Sequence, residues 1–599
     1  MNEPWQAEAC STTLAFPHFF AKLAALKNLA ARILLLSRYP LAISAGLLLA
    51  AAFPGIGIAG LAWVAPALIL AAAHGKTGGD AFRIGYVAGL AQYLASLYWL
   101  LLIPVTGYPI LGWIALSAYC ALYPATWVWL VAKVPGIRCQ VSGIPESWAQ
   151  RTAGSLAGAA IWVALEMVVG RLLSGFPWLL IGNSQFHLLP LIQIASVAGV
   201  YGVSFLVVWV SLSLFTATLA ILRQPTNRHA WLGEIVLPFA VLVAVFVFGF
   251  GRLREQASNH PRLRVTFIQP SIPQTTMWDE NEDARRFHQL LQLTTGALTN
   301  ATDLLLWPEA AVPKKIRYDE ATLRAVTGIA TSNRVWMIVG SDDLEPARHS
   351  ADPAENDCFN SSFLVSPDGT LVARYCKRHL VMFGEFLPRW LPFAKWFTTI
   401  TGDFARGDRV VPFELERRPW ALREPNQPPP DEKRAGSEIG APIRVKTATL
   451  ICFEDVFPHL AREYADNDTD FLVNLTNDGW FGEGAEQWQH AGSAVFRAVE
   501  NGLPLLRCCN NGLTCWIDSH GRLQQIFRDD TGSIYGAGVM TAQIPVLAFG
   551  ETRPRTFYNE HGDWFGWLCV AVAAPVLLAR LSKFPRRRCG CLARSLMPE

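Results

Sequence analysis

"TLICFEDVFP", residues 449 to 458, sets one cysteine, Cys452, between Ile451 and Phe453 and follows it at once with Glu454 and Asp455. A short apolar run of this kind is a buried strand, and acids at its end mark the point where it opens into a polar pocket. A cysteine in such a run is ordinarily a small buried hydrophobe. Two acids beside it admit a second reading, a nucleophile at a strand end. The rest of the chain decides between them.

Further strands surround this one: "RLRVTFIQP" (262–270), "DLLLWPEAAVP" (303–313), "VWMIVGSDD" (335–343), "NSSFLVSPDG" (360–369) and "DFLVNLTNDGW" (470–480). Helical patterns lie between them, around 281–300, 319–333 and 487–502. Strands alternating with helices predict a layered α/β domain over residues 262–545. Residues 417–442 are rich in proline and charge and are expected to be a disordered insertion.

The chain has 599 residues, of which 51% are hydrophobic and only 17% charged, with mean hydropathy +0.25. Soluble chains carry about 25% charged residues, so part of this one is not solvated by water. Net charge is +3, which gives no ground for a nucleic-acid partner. The 22 tryptophans lie often beside apolar runs, as membrane-interface belts do. Neither Cys508, Cys509 and Cys515 nor Cys589 and Cys591 is matched at zinc-site spacing, so no metal and no cofactor is expected.

Apolar stretches fall at 39–54, 58–74, 84–104, 109–132, 153–172, 190–221, 231–250 and 563–580. A helix needs roughly 20 residues to cross the hydrocarbon, so these predict about eight spans, a seven-helix block over 39–250 and a last helix at 563–580. The first two stretches share the hinge Pro54-Gly55, and are either two spans or one re-entrant pair. Lys22, Lys27, Arg32 and Arg38 precede the first stretch; Lys76 and Arg83 follow the second; Lys133, Arg138 and Arg151 follow the fourth; Arg223 and Arg228 follow the sixth. Arg580, Lys583 and Arg586 to Arg588 follow the last. Basic loops mark the cytoplasm, so both termini are expected inside and residues 251–562 outside. No A-x-A-like cleavage site is found near the start, and 1–38 is expected to be a basic cytoplasmic extension, with 581–599 a basic cytoplasmic tail.

Three apolar strands end in an ionisable residue: "LLLWPEAAVP" (304–313) with Glu309, "ARYCKRHLVMFGEFLP" (373–388) with Lys377 and Glu385, and "LICFED" (450–455) with Cys452 and Glu454. Singly, each has a plain structural reading. Together they make a set: a carboxylate base, a cation for an oxyanion, and a thiol that needs the base because it is mostly protonated at neutral pH.

In this order, "WPE", "YCKRHLVMFGE" and "LICFED" resemble the carbon–nitrogen hydrolase (nitrilase) superfamily, and the likeness continues through "NLTNDGWFG" (474–482), "WQHAGSAVFRAVENGLPLLRCCNNG" (488–512) and "WIDSHGRL" (516–523). A nitrilase-like domain set between seven apolar stretches and one more resembles the apolipoprotein N-acyltransferase family, as do "SGFPWLLIGNSQ" (174–185) and "QPSIPQTTMWDE" (269–280). The resemblance implies an α-β-β-α sandwich joined to a polytopic α-helical membrane domain, in the bacterial inner membrane, with the catalytic domain facing the periplasm. It implies Glu309 as general base, Lys377 as oxyanion partner and Cys452 as nucleophile, supported by Glu385, Glu454 and the backbone of Phe453. It implies Trp278 as a residue of substrate access. It also implies a phospholipid acyl donor, a diacylated apolipoprotein acceptor, and a monomer in the lipid bilayer; a membrane-anchored amidase is the alternative. Phe453 stands where that family often has tyrosine, and Met382 where it often has proline.

Other residues have two readings each. His379 is either a proton carrier or a structural hydrogen-bonding residue. Glu166, in an apolar stretch, either pairs with Arg171 or lines a lipid pocket. Cys508, Cys509 and Cys515 are core thiols or a disulfide. Residues 386–408, with Trp390, Phe393 and Trp396 beside Arg389 and Lys395, are a packed loop or an arm dipping into the bilayer interface. The arm is the expectation here, because a lipid must leave the bilayer to reach Cys452.

Overall fold

Most of the apolar stretches become helix where the sequence lets them run uninterrupted. In the computed structural model, which describes residues 38–105, 108–137, 147–224, 231–254, 260–277, 279–347, 356–388, 403–417, 443–548 and 550–581, they form α1 (Arg38–Ala51), α2 (Ala65–Ala72), α3 (Gly79–Ser96), α4 (Tyr108–Val131), α5 (Trp148–Val169), α6 (Ala195–Arg223) and α7 (Leu232–Leu253). Among the described residues, four of these, α4 to α7, are long and apolar enough to cross a membrane. The others are shorter or more polar. The 14 residues of α1 rise only about 21 Å. Pro54 follows it closely, Gly55 takes φ +119°, and a separate turn over Ala59–Trp63 precedes α2. Proline cannot continue a helix, so α1 stops before Pro54, and the second stretch is itself divided at Val64 between that turn and α2.

The α/β part holds two six-stranded sheets. One has the order β12-β1-β2-β3-β4-β5 and the other β11-β10-β9-β8-β7-β6. In the first, β1 (Arg262–Gln269), β2 (Leu304–Trp307) and β3 (Trp336–Pro346) are parallel, and β4 (Asn356–Val365), β5 (Leu371–Cys376) and β12 (Gly538–Pro545) run antiparallel to their neighbours. In the second, β7 (Ile443–Ile451), β8 (Phe471–Thr476) and β9 (Leu505–Cys509) are parallel. The antiparallel strands β6 (Pro412–Arg417), β10 (Cys515–Ile517) and β11 (Leu523–Ile526) flank them. Alternate residues of β2 go to opposite cores: Leu304 and Leu306 pack between the sheets, while Leu305 and Trp307 pack under α8 (Asp283–Ala297) and α9 (Glu320–Asn333). At the end of the β6–β7 pair Arg417 lies opposite Ile443, so the first residue of the insertion expected at 417–442 belongs to a strand; the rest of it lies outside the described residues, as do residues 1–37.

Against the second sheet lies α10 (Glu486–Asn501), and every residue of it but Trp488 is buried. Its outer face is covered by the apolar block. Gln489 accepts from Trp99 Nε1 (3.0 Å) and Trp178 Nε1 (2.8 Å) and donates to the carbonyls of Pro54 and Ser96 (both 3.2 Å). Asn183 Nδ2 donates to Ser493 Oγ at 3.1 Å. Buried side chains of the helical block and of the sandwich form one continuous core.

Glu166 does not pair with Arg171. Its Oε1 accepts from Trp162 Nε1 (3.0 Å) and from the Ile181 amide (2.8 Å), and it lines a cavity of about 30 Å³ with Tyr93, Tyr123, Trp127 and Phe176. Helix α5 ends at Val169, so Arg171 leaves the helical repeat and binds Asp563 instead, at the foot of α11 (Trp564–Leu581). Cys508, Cys509 and Cys515 are buried free thiols.

One docking point makes a direct test. In α6 Gly199 takes φ +67°, which frees the next amide, Val200 N–H, to donate to Glu500 Oε1 of α10 at 2.8 Å. A Cβ there would lie 2.7 Å from the Tyr558 ring. Gly199→Ala is expected to cost roughly 1–3 kcal/mol, because it adds a clash to an unfavourable backbone conformation. The check is apparent Tm in detergent, and an unchanged value would contradict this account of the junction.

Candidate active site

Strand ends deliver the ionisable residues to one place. Glu309 follows β2 in a turn that packs on β3 where Gly340 has no side chain; a Cβ there would meet the Pro308 carbonyl at 2.1 Å. Lys377 follows β5, its amide donating to the Asn360 carbonyl at 2.8 Å. Cys452 follows β7 at the head of a 3₁₀ turn, Cys452–Val456, with φ +52°. A left-handed backbone is rare for a non-glycine residue and marks a sharp, over-determined turn. Asn474 Nδ2 holds the Cys452 carbonyl at 2.9 Å.

The Lys377 side chain is 1% exposed, so its charge must be met inside the protein. Its Nζ lies 2.8 Å from Glu385 Oε1 and 3.5 Å from Glu309 Oε1. Asn360 Nδ2 donates to both carboxylates, at 2.7 Å to Glu309 and 3.2 Å to Glu385. The second Glu385 oxygen takes the Val381 amide at 2.8 Å. Burial alone would lower the Lys377 ammonium, but Glu385 and Glu309 outweigh it and hold it well above its usual value. Burial lifts Glu309 above the usual carboxylate range, and Lys377 pulls it back. The Cys452 thiol stands within reach of the Glu309 charge. Burial first, and then the charge of Glu309, push that thiol well above its ordinary value. A neutral thiol facing a raised carboxylate, with a fixed ammonium beside both, is suited to proton abstraction and to stabilising an oxyanion.

Glu454 does not point at the thiol. It is fully buried and accepts from the amides of Ile451 (2.7 Å), Arg378 (2.7 Å) and His379 (3.0 Å) and from the Tyr375 hydroxyl (2.8 Å). It therefore ties the Lys377 turn to the Cys452 turn. The His379 ring packs 3.9 Å from Phe457, and burial pushes it down to about 4, so it is neutral at pH 7. The Phe453 ring stacks on Trp178 (5.9 Å) and Phe176 (6.1 Å), both from the 174–185 segment of the helical block. Met382 sits in a turn closed by Phe383 N–H to the Phe386 carbonyl at 2.9 Å.

Trp278, Trp390, Phe393 and Trp396 lie outside the described residues, as does the middle of the expected arm. Its far foot is described: the Phe404 and Gly407 amides bond the carbonyls of Glu385 and Lys377, both at 2.9 Å.

Sequence reasoning assigned no role to Asn360, Tyr375, Thr476 or the buried set Asp455, Asp478, Glu486, His490 and Arg507. His490 Nε2 lies 2.7 Å from Asp455 and Nδ1 3.0 Å from Asp478; Arg507 lies 2.5 Å from Asp455 and 3.3 Å from Asp478. Asp478, Glu486 and His490 stand close enough to hold a metal ion. The Arg507 guanidinium, 3.2 Å from His490 Nδ1, already supplies the positive charge there. The "NDGW" and "WQH" motifs were the available signal.

Residues 45–213 match the family model for the apolipoprotein N-acyltransferase N-terminal domain, and residues 264–553 match the carbon–nitrogen hydrolase model. The chain is 34% identical to an apolipoprotein N-acyltransferase of Geobacter metallireducens over 90% of its own length and 94% of that protein's. It is 27% identical to one from Chlorobaculum tepidum over 89% of its own length and 94% of that protein's. Among solved structures, an amidase from Nesterenkonia sp. AN1 aligns at 16% identity with a TM-score of 0.33, covering 48% of this chain and 93% of its own. The chain belongs to the apolipoprotein N-acyltransferase family.

Proposed function

We propose that this chain moves an acyl chain from a phospholipid, through a thioester on Cys452, to the α-amino group of the N-terminal diacylglyceryl-cysteine of an apolipoprotein. The observation that carries the reading is the set of buried Glu309 and Lys377 with half-buried Cys452, in a sandwich whose helix α10 is roofed by the apolar block. A mere anchor needs no shared core, and this disfavours a membrane-anchored hydrolase.

In the first half-reaction Glu309 takes the Cys452 proton and the thiolate attacks an ester carbonyl. Lys377 and the Phe453 backbone N–H stabilise the oxyanion. Glu309 returns the proton to the leaving lysophospholipid, and a thioester remains. In the second, the acceptor amine attacks the thioester, Glu309 takes its proton, and Cys452 leaves as the thiolate and is reprotonated. The rings of Phe453, Trp178 and Phe176 shield the thioester from water. Glu385 holds Lys377, and Glu454 sets the distance between Lys377 and Cys452.

The same reading sets the apolar segments of 39–250 and 563–580, about eight in number, in the bacterial inner membrane. The domain at 262–545 then faces the periplasm, both termini stay in the cytoplasm, and the protein works as a monomer. Trp278 and an arm bearing Trp390, Phe393 and Trp396 bring lipid from the bilayer to Cys452.

Three outcomes are expected. Purified protein given phospholipid and a diacylated lipopeptide should make a peptide heavier by one acyl group in mass spectrometry. Cys452→Ala should make none; free fatty acid beside an unmodified peptide would indicate a hydrolase. Second, activity should fall as pH drops through the Glu309 titration. Burial raises that group, so the acid limb lies above the roughly 4.3 of a free glutamate. Lys377 is raised too and adds no alkaline limb near neutral pH. A pH–rate profile flat down to the ordinary carboxylate range would contradict Glu309 as the base. Third, Glu454→Gln keeps the shape but cannot accept all four donors, and should lower kcat/KM about 10- to 100-fold, as expected for losing hydrogen bonds to a charged group; wild-type turnover would contradict its positioning role.

A further inference from the structure

The turn that carries Cys452 is held from two sides. Glu454 ties it to the Lys377 turn. Asp455, the next residue of the same Cys452–Val456 turn, meets His490 of α10 and Arg507 of β9. With Asp478 these make four charged side chains, each at most 1% exposed. They alternate in sign. His490 Nε2 lies 2.7 Å from Asp455 Oδ1, and its Nδ1 lies 3.0 Å from Asp478 Oδ1. Arg507 Nη1 donates to Asp455 Oδ2 at 2.5 Å, and Nη2 to Asp478 Oδ2 at 3.3 Å. Each cation therefore bridges both acids, and each acid gives one oxygen to each cation. The Thr476 hydroxyl adds a further bond to Asp478 Oδ1 at 2.9 Å.

An imidazole with an ionised carboxylate at each nitrogen donates from both, so it is an imidazolium. Burial and Arg507 oppose that charge, but Asp455 and Asp478 outweigh them and push His490 up to about 10. Glu486 also faces Nδ1, at 3.7 Å; burial and then Asp478 hold its carboxyl far above the usual range, so it is neutral. The Trp178 ring of the helical block lies 5.2 Å from the imidazole. Two acids and two cations make a neutral ring, and a buried charge without such a match is costly.

The ring is built into the surroundings of the nucleophile. Asp455 stands three residues after Cys452 in one short turn. Strand β8, which leads to Asp478, pairs Leu475 with Ile451 and holds the Cys452 carbonyl through Asn474 Nδ2 at 2.9 Å. In the reaction Glu309 becomes neutral as it takes the thiol proton, and Lys377 faces the thiolate. Without His490, the ring behind that thiolate would carry one uncancelled negative charge.

We propose that His490 is a positioning residue for Cys452: its imidazolium acts through Asp455 and Asp478, cancelling with Arg507 the charge of the two acids behind the nucleophile so that a thiolate can form there. His490 gives and takes no proton in the reaction; the thiol proton goes to Glu309. The proposal rests on Cys452 being the nucleophile, and it brings α10, on which the apolar block docks, into the site.

The test needs no lipid, so it fails or succeeds separately from acyl transfer. Full-length protein in detergent is treated with iodoacetamide across a range of pH, and alkylation of the Cys452 peptide is followed by mass spectrometry. His490→Gln keeps a donor but loses the charge, and should slow alkylation about tenfold at a given pH, shifting the profile to higher pH. Asp455→Asn removes an acid instead, and should alkylate at least as fast as the wild type. The double variant Asp455→Asn/His490→Gln is neutral again and should return close to the wild-type profile. A purely structural clamp predicts the reverse, with both single variants slow and the double variant slowest. Wild-type alkylation in His490→Gln, slowed alkylation in Asp455→Asn, or a double variant no faster than His490→Gln would overturn the proposal. Where His490→Gln alone does not fold, Asp455→Asn and the double variant decide: a tenfold slowing in either overturns it, and wild-type rates or faster in both support it.

Discussion

Glu454 accepts hydrogen bonds from the end of one sheet, at Ile451, and from just past the end of the other, at Arg378 and His379. The sandwich could close with its sheets slightly slid against each other at little cost to its apolar core, since dispersion and burial are not directional. A buried carboxylate removes that freedom. It must find donors, because leaving it without them costs several kcal/mol, and its donors sit on the two turns that carry Lys377 and Cys452. The ammonium–thiol geometry thus follows from satisfying one charge. Lys377 extends the constraint by demanding Glu385 and Glu309 in turn.

The second constraint acts at the roof of the sandwich. Helix α10 carries Gln487, Gln489, His490, Ser493, Arg497 and Glu500, all buried. On a soluble sandwich such a face would meet water. Here Gln489 meets Trp99 and Trp178, and Glu500 meets the Val200 amide of α6. Trp178 then stacks on Phe453, the residue after Cys452. The helical block is therefore part of the wall of the site.

Much of this was legible in the sequence, and for a physical reason. Singly each had a plain structural reading, but a carboxylate, an ammonium and a thiol each placed right after a buried apolar strand form a chemical set, so Glu309, Lys377 and Cys452 stood out together, and the period-two strands gave the layers. Helix lengths were less legible. Hydropathy counts apolar residues, but a Pro54-Gly55 break ends α1 early and the next segment divides at Val64, neither of which changes that count. The choice between two readings of Glu166 stayed open because the partners of Glu166 and Arg171 come from Ile181 and Asp563, and only the fold brings those near. The network of Asp455, Asp478, His490 and Arg507 was hidden for a related reason. Polar residues on α10 read as a solvated face until a second domain is seen to cover them.

In the mechanism proposed here Cys452 carries the acyl group between two substrates. The most direct measurement is the mass of the Cys452 peptide after the purified protein has met a phospholipid of defined acyl chains with no acceptor present. The account predicts one added acyl group on Cys452, labile to hydroxylamine as a thioester is, and lost when the lipopeptide is supplied. An acyl group on another residue, or acyl transfer to the peptide with Cys452 never modified, would contradict it.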